Sequence, residues 1–205
     1  MALTSKKNEC GSATIEFCLS ALVWVPLLLG TTVFGINLIQ AIQLSQLSRA
    51  TGHMYAYGID FTQPQNLPLL ERLSSPLQIQ QNGGQGAIVL SKITLVTDLD
   101  CAAANMKVCA NNGKYVFTSL YVFGNHAYAQ TELGNPGSYL FSGTAIQASE
   151  YMSNPNLVAT NFSSLLTFLA NQPGQYAFVS EVSINSQAIA WSDFSNTGSY
   201  ARTIF

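Results

Sequence analysis

From Phe17 to Ile39 the chain runs 23 residues without a charged side chain, and Leu, Val, Ile and Phe dominate the run. As a helix rising about 1.5 Å per residue it reaches about 35 Å, enough to cross the roughly 30 Å hydrocarbon core of a bilayer. No other feature of the sequence restricts the possible folds as much. Lys6 and Lys7 precede the run and no cluster of bases follows it. The positive-inside bias therefore predicts a single pass through the inner (cytoplasmic) membrane, N-terminus cytoplasmic, with the residues beyond about 45 periplasmic or extracellular. Pro26 lies inside the run and is expected to kink or loosen the helix, because it cannot donate to the carbonyl four residues back. Gly30, Gly35, Thr31 and Thr32 leave small-residue patches where another helix can approach. A cleaved secretory signal would have a shorter apolar core and a small-residue cleavage site. A lipoprotein anchor would need a small-residue box before a cysteine, and neither Cys10 nor Cys18 has one.

The helical pattern does not stop with the apolar run. Ile39, Ile42, Leu44 and Leu47 keep amphipathic spacing, with Gln40, Gln43 and Gln46 between them. The expected end is Gly52 or Gly58. One helix of about 40 residues would thus begin in lipid and finish against an outer domain.

Only 9% of the 205 residues are charged, against roughly 25% in an average globular protein. From Asp60 onward there are eight acids and five bases. That balance offers no basic footprint for nucleic acid. Pro64, Pro68, Pro76 and the Gly83-Gly84 pair mark loops around a short helix near Pro68–Leu73. Strands are expected at about Ala87–Asp98, at Lys114–Gly124, along residues 175–191 and in the final residues 199–205. Residues 125–161, rich in Gly, Asn, Ser and Tyr, read as an irregular insertion, and 161–173 as a short helix stopped by Pro173-Gly174. The fold class is α+β: a long N-terminal helix packed by its amphipathic half on a small antiparallel sheet.

One charge remains to be explained. Glu16 stands at the mouth of the apolar run, five residues after Gly11. A carboxylate drawn unpaired into hydrocarbon costs a few kcal/mol. It is either an interfacial or first-turn acid favoured by the helix dipole, or half of a pair. The short basic leader, Gly11, Glu16 and the immediate apolar helix together resemble a type IV prepilin. More narrowly, "GSATIEF" with Pro26 and the Arg49-Ala50-Thr51-Gly52 stretch resembles the TadE-like minor pilins (pseudopilins) of the tight-adherence pilus system. The closing "GSYARTIF" is similar to that group's last strand. The resemblance is carried by residues 11–58.

It implies a pilin-like fold and a division into a leader (1–11), an N-terminal helix (12–58, membrane segment about 17–39) and an extracytoplasmic domain (59–205). It implies cleavage between Gly11 and Ser12 by a prepilin peptidase, and assembly with other pilin subunits, self or related, in a pilus or related secretion fibre. Membrane lipid is the remaining partner. The new Ser12 α-ammonium of one subunit would neutralise Glu16 of the next, a pair worth more in low dielectric than in water. A bitopic membrane protein with an outer binding domain, or a secreted adhesive domain cut from its leader, are the competing readings.

Cys101 and Cys109, eight positions apart, are expected to form a disulfide outside the cytoplasm; the alternative is two free buried thiols. Closing so short a loop is worth roughly 2–3 kcal/mol in the chain-entropy account. Cys18 reads as a small apolar residue of the membrane helix. No catalytic chemistry is expected. His53 and His126 have no partner at ligand spacing, and there is no G-x-S-x-G, P-loop or H-E-x-x-H sequence. Glycines 83, 84 and 86 precede no lysine-bearing helix, and Asp98 and Asp100, with too few neighbouring oxygen ligands for calcium, read as a solvated turn. Neither a cofactor nor a metal is expected.

Overall fold

A computed structural model describes residues 10–106, 108–143, 145–162, 174–185 and 198–205. The chain divides into two units, Met1–Ile39 and Gln40–Phe205. Helix α1 (Cys10–Ala56) supplies the described part of the first unit and enters the second. It ends at Gly58 rather than Gly52. Gly58 has φ +84°, and its N–H reaches the Tyr55 carbonyl while Ile59 N–H reaches Met54 (3.0 and 3.1 Å). This double closure satisfies the last carbonyls and needs a left-handed residue, which glycine adopts without penalty.

In the second unit, α2 (Leu67–Ser74) leads into a two-residue ladder of β1 (Ile79–Gln80) and β2 (Gly83–Gly84). Strand β3 (Gly86–Leu95) and strand β4 (Tyr115–Gly124) flank α3 (Asp98–Ala103), and α4 (Ala148–Ser153) lies in the insertion that follows. Strands β5 (Tyr176–Ile184) and β6 (Ser199–Ile204) complete an antiparallel sheet ordered β4-β3-β5-β6. Four strands thus appear near their expected places. The first stops at Leu95, short of Asp98. The second half of the expected third strand, from residue 186, lies outside the described residues, as does nearly all of the helix expected over 161–173.

The two sheet faces are buried by different means. Even-numbered residues of β3 and β5, Ile88, Leu90, Val182 and Ile184, form one core with Leu44 and Leu47 of α1 and with Phe61, Leu70, Leu77 and Ile79. This is the amphipathic cover the sequence implies. The opposite face, Val89, Ile93, Phe117, Leu120, Ala177 and Val179, is covered by Leu133, Leu140, Leu157 and Phe162. The insertion therefore has a structural role that its lack of periodicity hides. Its short turns each deliver an apolar side chain, worth roughly 1.5–3 kcal/mol when fully buried.

Small residues seat α1 on the sheet. Ser48 is buried and its hydroxyl donates to the Ser180 carbonyl at 2.9 Å, with Thr203 Oγ1 at 3.0 Å. One turn on, Thr51 Oγ1 lies 2.8 Å from Ser180 Oγ. A β-carbon on Gly52 would fall 2.6 Å from the Phe205 ring and 3.1 Å from Ser180 Cβ. Tyr55 then reaches Ser119 and packs edge-on against Phe178. From Ser48 to Tyr55 the partners on β5 move from Ser180 back to Phe178, so this stretch runs antiparallel to β5. The chain enters the second unit at the end where β3 begins, and the α3 loop lies at the other end.

The seat predicts a sharp steric response. Gly52→Val should destabilise the full chain by about 1–3 kcal/mol through overpacking, read as a lower thermal transition in near-UV circular dichroism in detergent. Gly30→Val is the control, since a β-carbon there meets nothing within 4 Å, and should leave the transition in place.

Candidate functional site

The structure places Gly11 and Ser12 in the first turns of α1, with Glu16 about one turn further on and exposed. Around and beyond Glu16 the apolar side chains are uncovered: Phe17 is 73% exposed, Trp24 61% and Phe34 70%. A run of this kind cannot stay in water; exposed contiguous apolar surface marks a membrane or a partner. By length and composition α1 is the one helix among the described residues able to cross a membrane. Helix α1 continues through Pro26 without interruption. The Thr31 and Thr32 hydroxyls both donate to the Leu28 carbonyl (3.0 and 2.7 Å), so neither needs water or a partner. Added β-carbons at Gly30 and Gly35 meet nothing within 4 Å.

Cys101 and Cys109 form a disulfide with Cα atoms 6.0 Å apart, an ordinary separation. It staples the loop between β3 and β4, where Leu99 and Val108 are 70% and 71% exposed. Asp98 and Asp100 are not a solvated turn but the start of α3. Thr97 and Asp100 cap one another reciprocally, the Asp100 carboxylate accepting from the Thr97 N–H at 2.9 Å. Among the described residues no three metal-ligating side chains come together. His53 lies between the rings of Tyr57 and Phe205, and His126 stacks on Phe141. The depression lined by Glu71, Ser75, Gln78 and Gln80 joins no nucleophile to a base.

One ionisable group was not singled out by sequence. Glu181 of β5 is 1% exposed, on the sheet face covered by the insertion. Its Oε1 accepts the Glu132 N–H at 3.0 Å and the Tyr200 hydroxyl, while its buried Oε2 has no hydrogen-bond partner. The contact ties the insertion and β6 to the middle of the sheet. Burial holds the Glu181 carboxyl above the usual carboxylate range, against the opposing pull of the Thr131 and Tyr200 hydroxyls, the Glu132 amide and the Arg202 charge. Burial, and then the adjoining Glu181 charge, push Tyr200 up in turn. The only early signal was a charge at an inward position in the alternation Ala177, Val179, Glu181, Ser183.

No family model, curated protein or solved structure matches the chain.

The Glu181 carboxyl binds its proton more tightly in the folded than in the unfolded chain. Its contribution to stability is therefore complete below the unfolded value of about 4.3 and is lost as the pH rises through the folded value. Glu181→Gln should flatten that decline in urea titrations across the interval. Glu181→Leu, which strands the Tyr200 hydroxyl and the Glu132 N–H, should cost about 1–3 kcal/mol for each at low pH, and the gap to the wild type should narrow as the pH rises through the folded value.

Proposed function

We propose that this protein is a prepilin-like membrane subunit, cleaved after Gly11, that assembles into or primes a tight-adherence pilus or a related secretion fibre. The observation that carries the reading is Glu16, five residues after Gly11, on a helix whose apolar surface is uncovered along the membrane-length run. Cleavage after Gly11 creates an α-ammonium on Ser12, about 6 Å along the helix from Glu16 at 1.5 Å per residue. In one subunit the two charges lie close; between adjacent subunits they set an axial offset of about one turn. The pair neutralises a carboxylate that lipid would otherwise penalise by a few kcal/mol, and so couples register to burial. Gly30 and Gly35 give neighbouring helices room to approach.

In this account the peptidase and the leader act on the cytoplasmic side, and the second unit stands outside the membrane. The Cys101–Cys109 disulfide favours that side, since such bonds persist in oxidising compartments. The work of the protein is assembly rather than catalysis: helices pack in the fibre, and the far end, with Leu99 and Val108, is displayed.

Two substitutions separate this from a bitopic anchor with an independent binding domain. Gly11→Val should leave the leader attached, giving a slower band in immunoblots of the native cell. Glu16→Ala should still be processed yet fall by more than about tenfold in the sheared fibre fraction, as loss of an interaction above 1.4 kcal/mol requires. Wild-type behaviour of both variants would establish the anchor instead.

A further inference from the structure

The short helix α2 carries two faces. Leu70 and Ser74 are buried in the core shared with Leu44 and Leu47 of α1. A second strip is exposed: Leu69 at 41%, Leu73 at 40%, with Arg72 and Pro76 beside them. Spacings of three and four residues place Leu69, Arg72 and Leu73 on one side of α2, with Pro76 in the 3-10 turn that follows. Glu71, also exposed, projects from the opposite flank by the same geometry. The strip thus combines apolar side chains with one cation and contains no acid.

Its position in the chain gives it an occupant. The apolar run ends at Ile39, and five residues later Leu44 is already buried in the core that α2 helps to build. Five residues span about 8 Å as helix and at most roughly 18 Å fully extended. Whatever the orientation of the second unit, Leu44 cannot lie farther than that from the end of the membrane run. The headgroup layer on each side of the hydrocarbon is itself about 5–8 Å deep. Ile79, which shares that core with Leu70 and Leu77, lies beside Gly124, the residue paired with Ala87 at the end of the sheet where the chain enters. The disulfide loop, with the other exposed pair Leu99 and Val108, lies at the opposite end.

From this we infer that α2 is a second, interfacial membrane contact: Leu69 and Leu73 insert among the lipid headgroups, and Arg72 pairs with their phosphates. Arg suits the site because its stem lies along apolar surface while the guanidinium reaches anionic oxygens in a bidentate fork. Contact of this kind restrains the second unit's tilt against the bilayer before any neighbour is bound. The inference rests on the membrane placement of α1 proposed above.

The test uses the full chain reconstituted in phosphatidylcholine–phosphatidylglycerol nanodiscs, with Cys10→Ser and Cys18→Ser, and an environment-sensitive fluorophore on Leu73→Cys or, as control, on Val108→Cys. Nitroxide lipids labelled near the headgroup should quench the probe at position 73 and leave that at 108 unquenched. Arg72→Gln should weaken the quenching in anionic discs. Trp24, made the sole tryptophan by Trp191→Phe, reports separately on α1 through deep-chain nitroxides. A quenched Trp24 with an unquenched probe at 73 overturns the inference and leaves the membrane reading standing. An unquenched Trp24 overturns both. Energy transfer between labelled copies in place of lipid quenching assigns the strip to a neighbouring subunit and likewise overturns it.

Discussion

The seating of Ser48, Thr51 and Gly52 against Ser180, Thr203 and Phe205 is the constraint on which the rest of the molecule depends. It makes the last turns of α1 part of the folded core of the second unit. Here Leu44 and Leu47 are buried within a few residues of the end of the apolar run. The small side chains are what permit this: a bulkier residue at 48, 51 or 52 would lift the helix off β5 and open the core beneath it.

The two halves of α1 meet opposite demands with the same backbone. Between Phe17 and Ile39 the Thr31 and Thr32 hydroxyls are satisfied within the helix by the Leu28 carbonyl. Beyond Gln40, hydroxyls are used outward, to join one strand after another. Glu16, just before that run, is exposed. At the end of the second unit away from the chain entry, a disulfide and a capped α3 flank the exposed Leu99 and Val108.

Much of this architecture was legible in the sequence. The uncharged run, the amphipathic continuation and the β-branched and aromatic enrichment at about Ala87–Asp98 and Lys114–Gly124 are each local to a single element, which a linear reading can detect. Gly58 closed the helix as turn chemistry implies, while Gly52 served close approach, a distinction visible only once Phe205 is beside it. Helix α3 escaped because six residues hold too few turns to show a period, and Asp98 and Asp100 look alike in a turn or a cap. Glu181 escaped for another reason: its acceptor role depends on Glu132 and Tyr200, 49 and 19 positions away. The insertion likewise buries the second sheet face through single residues set in irregular turns, each meaningless until the sheet is built.

The assembly account turns on where the working protein begins. Intact-mass spectrometry of the protein taken from the membranes and surface fibres of the cell that makes it addresses this directly. The account gives a mass lacking the first eleven residues, with Ser12 as the free amino end. Functional material that still carries Met1, or that starts well beyond residue 12, would contradict it.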